Sequence, residues 1–472
     1  MAMVVAALIG VVGVVCLLVM RFWIKQVTGM KGLPLGSMGW PLLGETLEFY
    51  LCLSSTQPDA FFQKRCLRYG MVFKTHLFLS PTIISLNPQV NKFILSNEEK
   101  LFKCSYPDSL KALFGKNSLF FTYGDLHKRL HGMIARNLSA EKLKNVLLQD
   151  VDTYASRIVS TWENKKFVKV EQEAQHFTFL LILKQLMGLS MEEELTSLVM
   201  TEYDTVLDGL LSIPSKLLPK FAKAVKAREN VATKLAEVVD ARREQDNSEY
   251  TDLLAAILNE GVEEGSPLPT NQIVDVMVFI LFAGYETTSR AITAAIKFLT
   301  DHPQALERLK EEHFEILRHK SSNESLTWDD YKGMSFTQCV VNETLRLINL
   351  AFGSYREAIE DVNIKGQIIP KGWKVLVIYR TAHLNKSTYD NPYKFDPSRW
   401  EEYKSSHQES FMPFGWGRRL CPGSDLARME LFFFLHHVVT RYRWEPTMED
   451  SFTYFPVPST KHGLPIIVRA LK

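Results

Sequence analysis

The sequence is poor in cysteine: six in 472 residues, at Cys16, Cys52, Cys66, Cys104, Cys339 and Cys421, with no C-x-x-C pair. That excludes a disulfide-stapled secreted scaffold, and the spacing excludes a zinc ribbon or a thioredoxin-like redox site. An excess of one charge sign is also missing. Lys and Arg number 55 against 53 Asp and Glu, so no bulk positive field draws nucleic acid. No G-x-G-x-x-G or Walker sequence follows a strand-like run, so the protein has no built-in nucleotide domain. It has no internal repeat and no low-complexity segment. At 46% hydrophobic and 23% charged residues it is close to globular averages, which excludes a disordered polypeptide, a collagen-like fibre and a many-span membrane protein.

One long apolar run is present. Met1–Met20 carries no charge, and at ~1.5 Å per residue it reaches about 30 Å, the thickness of a bilayer core. A cleaved signal peptide needs a basic stretch before the run and small residues after it. Here nothing basic precedes the run, and Arg21-Phe-Trp-Ile-Lys25 follows it. A retained anchor over residues 1–25 is therefore expected. Arg21, Lys25 and Lys31 place the remainder on the cytosolic side of the endoplasmic reticulum membrane. The sequons at Asn137 and Asn323 then never meet the lumenal enzyme. Residues 26–44 form a hinge, because two prolines and four glycines between Gly32 and Gly44 cannot continue a helix.

Residues 45–472 read as one domain. Helical patterns dominate its middle, as at Val151–Trp162, Val231–Asp246 and Thr270–Thr300. Strand-like runs flank them at Val72–Leu79, Thr82–Ser85, Val362–Ile369, Val375–Ile378 and Phe452–Val468. The expected class is α+β, mainly α.

The chemistry-bearing segment is Phe414-Gly-Trp-Gly-Arg-Arg-Leu-Cys-Pro-Gly423. It is a glycine-punctuated loop that holds one cysteine beside two arginines and leads into the helical pattern Asp425–Tyr442. A thiolate needs positive potential and amide donors, and both are at hand there. Gly417 and Gly423 let the backbone approach a flat ligand closely.

This segment matches F-x-x-G-x-R-x-C-x-G and resembles the haem-binding loop of the cytochrome P-450 family. The resemblance implies a single haem domain with Cys421 as the axial thiolate of the iron, Arg419 on a haem propionate, and Phe414 and Gly417 packed at the haem. Three further segments resemble the family. Glu343-Thr-Leu-Arg346, with Arg399 from Phe395-Asp-Pro-Ser-Arg-Trp400, implies a buried structural network of Glu343, Arg346 and Arg399. Ala283-Gly-Tyr-Glu-Thr-Thr288, where adjacent threonines suggest a helix that opens locally, implies that Thr287 hydrogen-bonds dioxygen at the haem and that Glu286 relays protons. Ala283 and Gly284 would leave room for substrate and oxygen. Arg356 occupies a propionate-binding position, and His383 is a weaker candidate for that neighbourhood. The family commonly places an arginine four residues after an aromatic or histidine on a further helix. Here His127 is followed by His131, both able to donate to propionates; Lys128 after the first histidine argues against a zinc pair.

The passages Lys100–Pro107, His127–His131, Ala283–Ser289 and Phe336–Arg346 are similar to the brassinosteroid-biosynthetic group of plant steroid hydroxylases and oxidases. The implied substrate is an apolar steroid, oxidised either at C-3 or at positions C-22 or C-23 of its side chain. By family position its pocket includes Phe102, Leu113–Phe121, Leu210–Pro214, Ala283, Leu350–Phe352 and Phe455–Pro458, with Leu210, Phe352 and Val457 as representatives. Electrons would come from NADPH through a separate membrane-bound reductase, an acidic partner for cations such as Arg418 and Arg428. Three alternatives compete: a monooxygenase of triterpenoids or other isoprenoids, a reductase-independent haem-thiolate enzyme that rearranges peroxides, and a binding protein with a degenerate site.

Overall fold

The computed structural model describes residues 31–191, 193–211, 218–245, 250–263, 265–321, 324–402, 410–454 and 457–471. The expected anchor, the sequon at Asn323 and pocket positions 212–214, 455 and 456 lie outside them. No helix among the described residues is long and apolar enough to cross a membrane.

In sequence order the helices are α1 Thr46–Leu53, α2 Ala60–Tyr69, α3 Pro88–Ser96, α4 Ser109–Phe114, α5 Gly124–Asn137, α6 Leu148–Ser160, α7 Val170–Met187 and α8 Glu194–Asp208. They continue with α9 Pro219–Arg243, α10 Leu253–Glu263, α11 Thr270–Asp301, α12 Pro303–Arg318, α13 Trp328–Gly333, α14 Ser335–Ile348 and α15 Ser424–Arg441. Their ends are set by ordinary capping chemistry. Asn87 accepts from the amides of Gln89 and Val90 ahead of Pro88, and Thr327 forms a reciprocal capping box with Asp330. Gly188 and Asn349 end α7 and α14 in the left-handed conformation.

The protein forms two compact units. The smaller comprises the sequence up to Tyr106, Phe352–Ala382 and Trp416–Arg418. Its sheet contains β1 Val72–Leu77, β2 Ser80–Ser85, β3 Phe102–Cys104, β5 Gly353–Ala358 and β8 Lys374–Ile378. The strand order is β1-β2-β8-β5-β3, parallel only between β2 and β8. The run Val362–Ile369 is a hairpin of β6 Val362–Ile364 and β7 Gln367–Ile369.

The larger unit comprises Pro107–Ala351, His383–Gly415 and Arg419–Lys472. Its small sheet joins β4 Val168–Lys169 to β12 Pro465–Ala470 and β9 Tyr442–Pro446, with a separate ribbon of β10 Phe452–Thr453 and β11 Ser459–Thr460. Helix α15 is buried continuously from Met429 to Val439, so it runs through the core rather than over it. Helix α11 spans 32 residues and packs along α7. At Gly284 the two helices come so close that a Cβ would lie 2.9 Å from Ile182. Gly284 therefore serves helix packing, a correction to its expected role of leaving room for substrate.

Candidate functional site

The loop Phe414–Gly423 is shaped by its own backbone. The Cys421 amide donates to the Phe414 carbonyl at 3.0 Å, and Gly415 and Gly417 adopt φ of 81° and 76°. A Cβ at Gly417 would lie 2.6 Å from the Leu95 carbonyl oxygen, so the turn requires glycine. Burial pushes the Cys421 thiol up, opposed by a hydrogen bond from the Gly423 amide. The two arginines beside it are bonded to other groups.

Arg419 instead donates to the carbonyls of Leu119 and Thr122, both at 2.7 Å. Arg418 pairs with Glu99 at 3.1 Å. Arg428 is half-buried, bonded to Asn342 at 2.7 Å and placed over the Phe414 ring. It is thus not the free surface cation expected for partner docking. On α5, His127 is buried; the His131 ring lies 5.5 Å from it and shares a hydrogen bond with the Leu420 carbonyl at 2.8 Å. One turn of helix thus sets the two histidines side by side, with His131 on the cysteine loop.

Helix α11 is continuous through Ala283–Thr288, contrary to the expected local opening. The reason is local: Thr287 Oγ1 donates to the Ala283 carbonyl at 2.6 Å, bonding back along the helix instead of breaking it. Glu286 is buried, and its Oε1 accepts from Arg290 Nε at 2.9 Å and Nη2 at 2.7 Å. Arg290 also pairs with Glu171 on α7. Glu286 Oε2 has no hydrogen-bond partner among the described residues. Next to Thr287, Thr288 hydrogen-bonds Glu430 of α15, whose carboxyl burial raises to about 8, so that it is mostly protonated at neutral pH.

Further along the same face of α11, aromatic rings gather. Phe114 and Phe282 have centroids 4.5 Å apart, as do Phe120 and Phe279. Leu210, Ala283 and Val457 are partly buried residues of this larger unit. Phe102 and Phe352 belong to the smaller one, where Phe102 is buried in β3 and Phe352 packs on Phe49. A separate cleft of about 470 Å³, lined among others by Arg308, Lys332, Phe336, Cys339 and Trp400, contains none of the expected pocket residues.

Glu343, Arg346 and Arg399 form one cluster. Arg346 makes two bonds to the Glu343 carboxylate, at 2.8 and 2.7 Å, and Arg399 Nε adds a third at 2.9 Å. Arg356 is buried in its sheet, paired with Glu98 and donating to the Tyr355 carbonyl. His383 is fully buried and accepts from the Met412 amide at 2.9 Å, which makes it a core residue and not a ligand-binding one. The sequence reading missed Arg290, Glu171 and Glu430. Only Arg290 had left a signal, its spacing of four from Glu286.

The donor set suits a haem held through sulfur: a half-buried cysteine thiol with an amide donor, followed by a helix, and the cationic or donating groups Arg419, His127 and His131 for carboxylates. Comparison with known proteins points the same way. The family model described as Cytochrome P450 matches residues 34–459. Among curated relatives, 3beta,22alpha-dihydroxysteroid 3-dehydrogenase of Arabidopsis thaliana is 44% identical, over 93% of this chain and 93% of its own length. Abietadienol/abietadienal oxidase of Pinus taeda is 41% identical over 92% of this chain and 90% of its own. Cholesterol 22-hydroxylase of Paris polyphylla is 38% identical over 95% and 94%. The solved structure of retinoic acid-bound cyanobacterial CYP120A1 superposes with a TM-score of 0.83 at 28% identity, covering 93% of this chain and 99% of that one.

Proposed function

Because the chain belongs to the cytochrome P450 family of haem-thiolate monooxygenases, we propose that it oxidises a plant steroid, either at C-3 or at positions C-22 or C-23 of the steroid side chain. The observation that carries this reading is the likeness, across more than nine-tenths of the sequence, to relatives named as a 3-dehydrogenase of a dihydroxysteroid and as a cholesterol 22-hydroxylase. The apolar rings of Phe114, Phe120, Phe279 and Phe282, gathered along α11, support an apolar, rigid substrate.

Haem, when bound, supplies the redox chemistry that activates dioxygen. Cys421 would hold its iron, while Arg419, His127 and His131 would hold its carboxylates, with Phe414 shaping the loop against it. The protein's own contribution is proton management. Glu286 keeps one oxygen in its ion pair with Arg290 and offers the other, Oε2, to take up a proton; Thr287 Oγ1 passes a proton on toward the reacting side. Glu343, Arg346 and Arg399 stabilise the fold and touch no reacting atom.

The electron source in this reading is NADPH through a separate reductase. Residues 1–25 anchor the protein in the endoplasmic reticulum membrane with the domain in the cytosol. Support comes from the surface that follows: Trp40, Leu42, Leu43, Leu47 and Leu51 are all more than half exposed. Phe78 and Leu79 form a hairpin tip at φ of 49° and 61°, a strained conformation for two apolar residues in contact with water.

Co-expression with a plant reductase and feeding of a sterol panel tests the proposal by mass spectrometry. The expected result is a sterol that has gained one oxygen atom or lost two hydrogens at C-3. Turnover of abietadienol with no change in any sterol would contradict it and favour a monooxygenase of another isoprenoid, for which the Pinus taeda relative speaks.

A further inference from the structure

Outside the site, the most heavily bonded buried acid of α11 is Asp275, at 7% exposure. Its Oδ2 accepts from the Asn117 amide at 3.0 Å and from Asn117 Nδ2 at 2.8 Å, while Arg228 of α9 pairs with Oδ1. The backbone has been shaped to admit it. Gly115 has φ +84°, and a Cβ there would lie 2.0 Å from Asp275 Oδ1. The segment that follows folds on itself, with the Phe121 and Thr122 amides donating to the Ser118 carbonyl. At its far end, the carbonyls of Leu119 and Thr122 are held by Arg419. Residues 115–122 are therefore a strap fixed at both ends by charged groups, Asp275 at one and Arg419 at the other.

The strap carries the aromatic rings. Phe279 and Phe282 lie four and seven residues after Asp275, on the same helical face, and Ala283 and Glu286 continue that face. Phe120 on the strap packs on Phe279, and Phe114 just before it packs on Phe282. An aromatic wall set by rotamer-limited rings is useful for regiochemistry only if the backbone beneath it does not move.

We propose that Asp275 is a positioning residue: with Arg228 and Asn117 it locks the strap over α11, and the locked strap fixes where a rigid steroid presents its carbons. The steroid part rests on the function proposed above; the lock itself does not. Charge-assisted buried hydrogen bonds are among the stronger ones, and breaking them shows first as local opening.

The test uses the full-length, haem-loaded protein. Amide hydrogen exchange over residues 113–122 should accelerate about tenfold or more in Asp275→Asn. Gly115→Ala, whose methyl displaces the carboxylate, should do the same. The double variant Asp275→Asn with Arg228→Gln leaves no uncompensated charge and serves if the single variant does not fold. In parallel, cholesterol is titrated by the haem spin-state change: its apparent affinity should weaken about tenfold in the variants, while that of imidazole stays within about twofold. Unchanged exchange in a folded variant would overturn the proposal. Accelerated exchange in a protein that no sterol perturbs would uphold the lock and overturn the steroid reading instead.

Discussion

Two buried acid–arginine clusters of the larger unit look alike in composition and differ in how completely they are bonded. Glu343 has every direction filled: Oε1 accepts from Arg346, Arg399 and the Asp396 amide, and Oε2 from Arg346 and the Trp400 indole. The other arms of Arg346 reach the carbonyls of His383, Pro392 and Lys394. Glu286 gives both of its Arg290 bonds to a single oxygen and leaves Oε2 unsatisfied, one residue from Thr287. A buried polar atom without a partner is costly, and folded proteins keep few of them. A saturated cluster fixes the fold, whereas an unsaturated one keeps a place for a proton. Under the proposed function, the same residue types serve architecture in α14 and chemistry in α11.

The sharpest way to break this comparison is to remove each acid in turn. Glu343→Ala strands two arginines, one fully buried and one nearly so, and should cost roughly 3–5 kcal/mol. Little haem-loaded protein should accumulate, and a urea midpoint would show the loss. Stable, fully loaded but inactive protein would show that the cluster is not architectural.

Glu286→Gln should behave differently, because Arg290 keeps Glu171 as a partner. Its melting midpoint should stay close to wild type while product formation falls about 10²-fold, the lower range for lost acid–base assistance. Unfolding as severe as that of Glu343→Ala would erase the distinction between the clusters.

What was legible in advance follows the range of the interactions. The span expected as Thr270–Thr300 is observed as Thr270–Asp301, because a long apolar pattern and Pro269 at its start fix a helix locally. The loop around Cys421 and the pairing of Glu343 with Arg346 were legible for the same reason: glycines and i,i+3 spacing are local. Glu171 against Arg290, Glu430 against Thr288 and Asp275 against Asn117 were not, since each pair joins elements that meet only through tertiary packing. The opening of α11 was misread because threonine propensity was allowed to outweigh a hydroxyl that bonds to its own helix.

A third buried group, silent at neutral pH, sharpens the contrast, because it is neutral. His313 and His436 face each other at 3.0 Å, His313 also meets Thr337, and His437 bonds Asp152. Burial, with His437 adding repulsion, lowers His313 from 6.5 to about 3. A folded pKa below the unfolded one means that the folded state binds fewer protons. Stability is then fully present above pH 6.5 and is lost as pH falls toward 3, by roughly 1.4 kcal/mol per pH unit for this residue. Glu430, raised to about 8, pulls the opposite way, since its penalty shrinks on acidification. The difference between wild type and His313→Asn in urea unfolding should isolate the histidine, with the mutant's acid slope shallower by that amount. Parallel slopes would mean that His313 is protonated in the fold.

The central claim, that the unsaturated cluster of α11 serves proton delivery, is tested most directly by the ratio of oxidised steroid to NADPH consumed, in wild type and Thr287→Ala with reductase present. The substitution removes the hydroxyl bonded to Ala283 but little volume, so substrate should still bind and shift the haem spin state. The account predicts continued NADPH consumption, hydrogen peroxide released in excess of product, and a ratio about tenfold or more below wild type. An unchanged ratio would make Thr287 an ordinary helix residue and contradict the account.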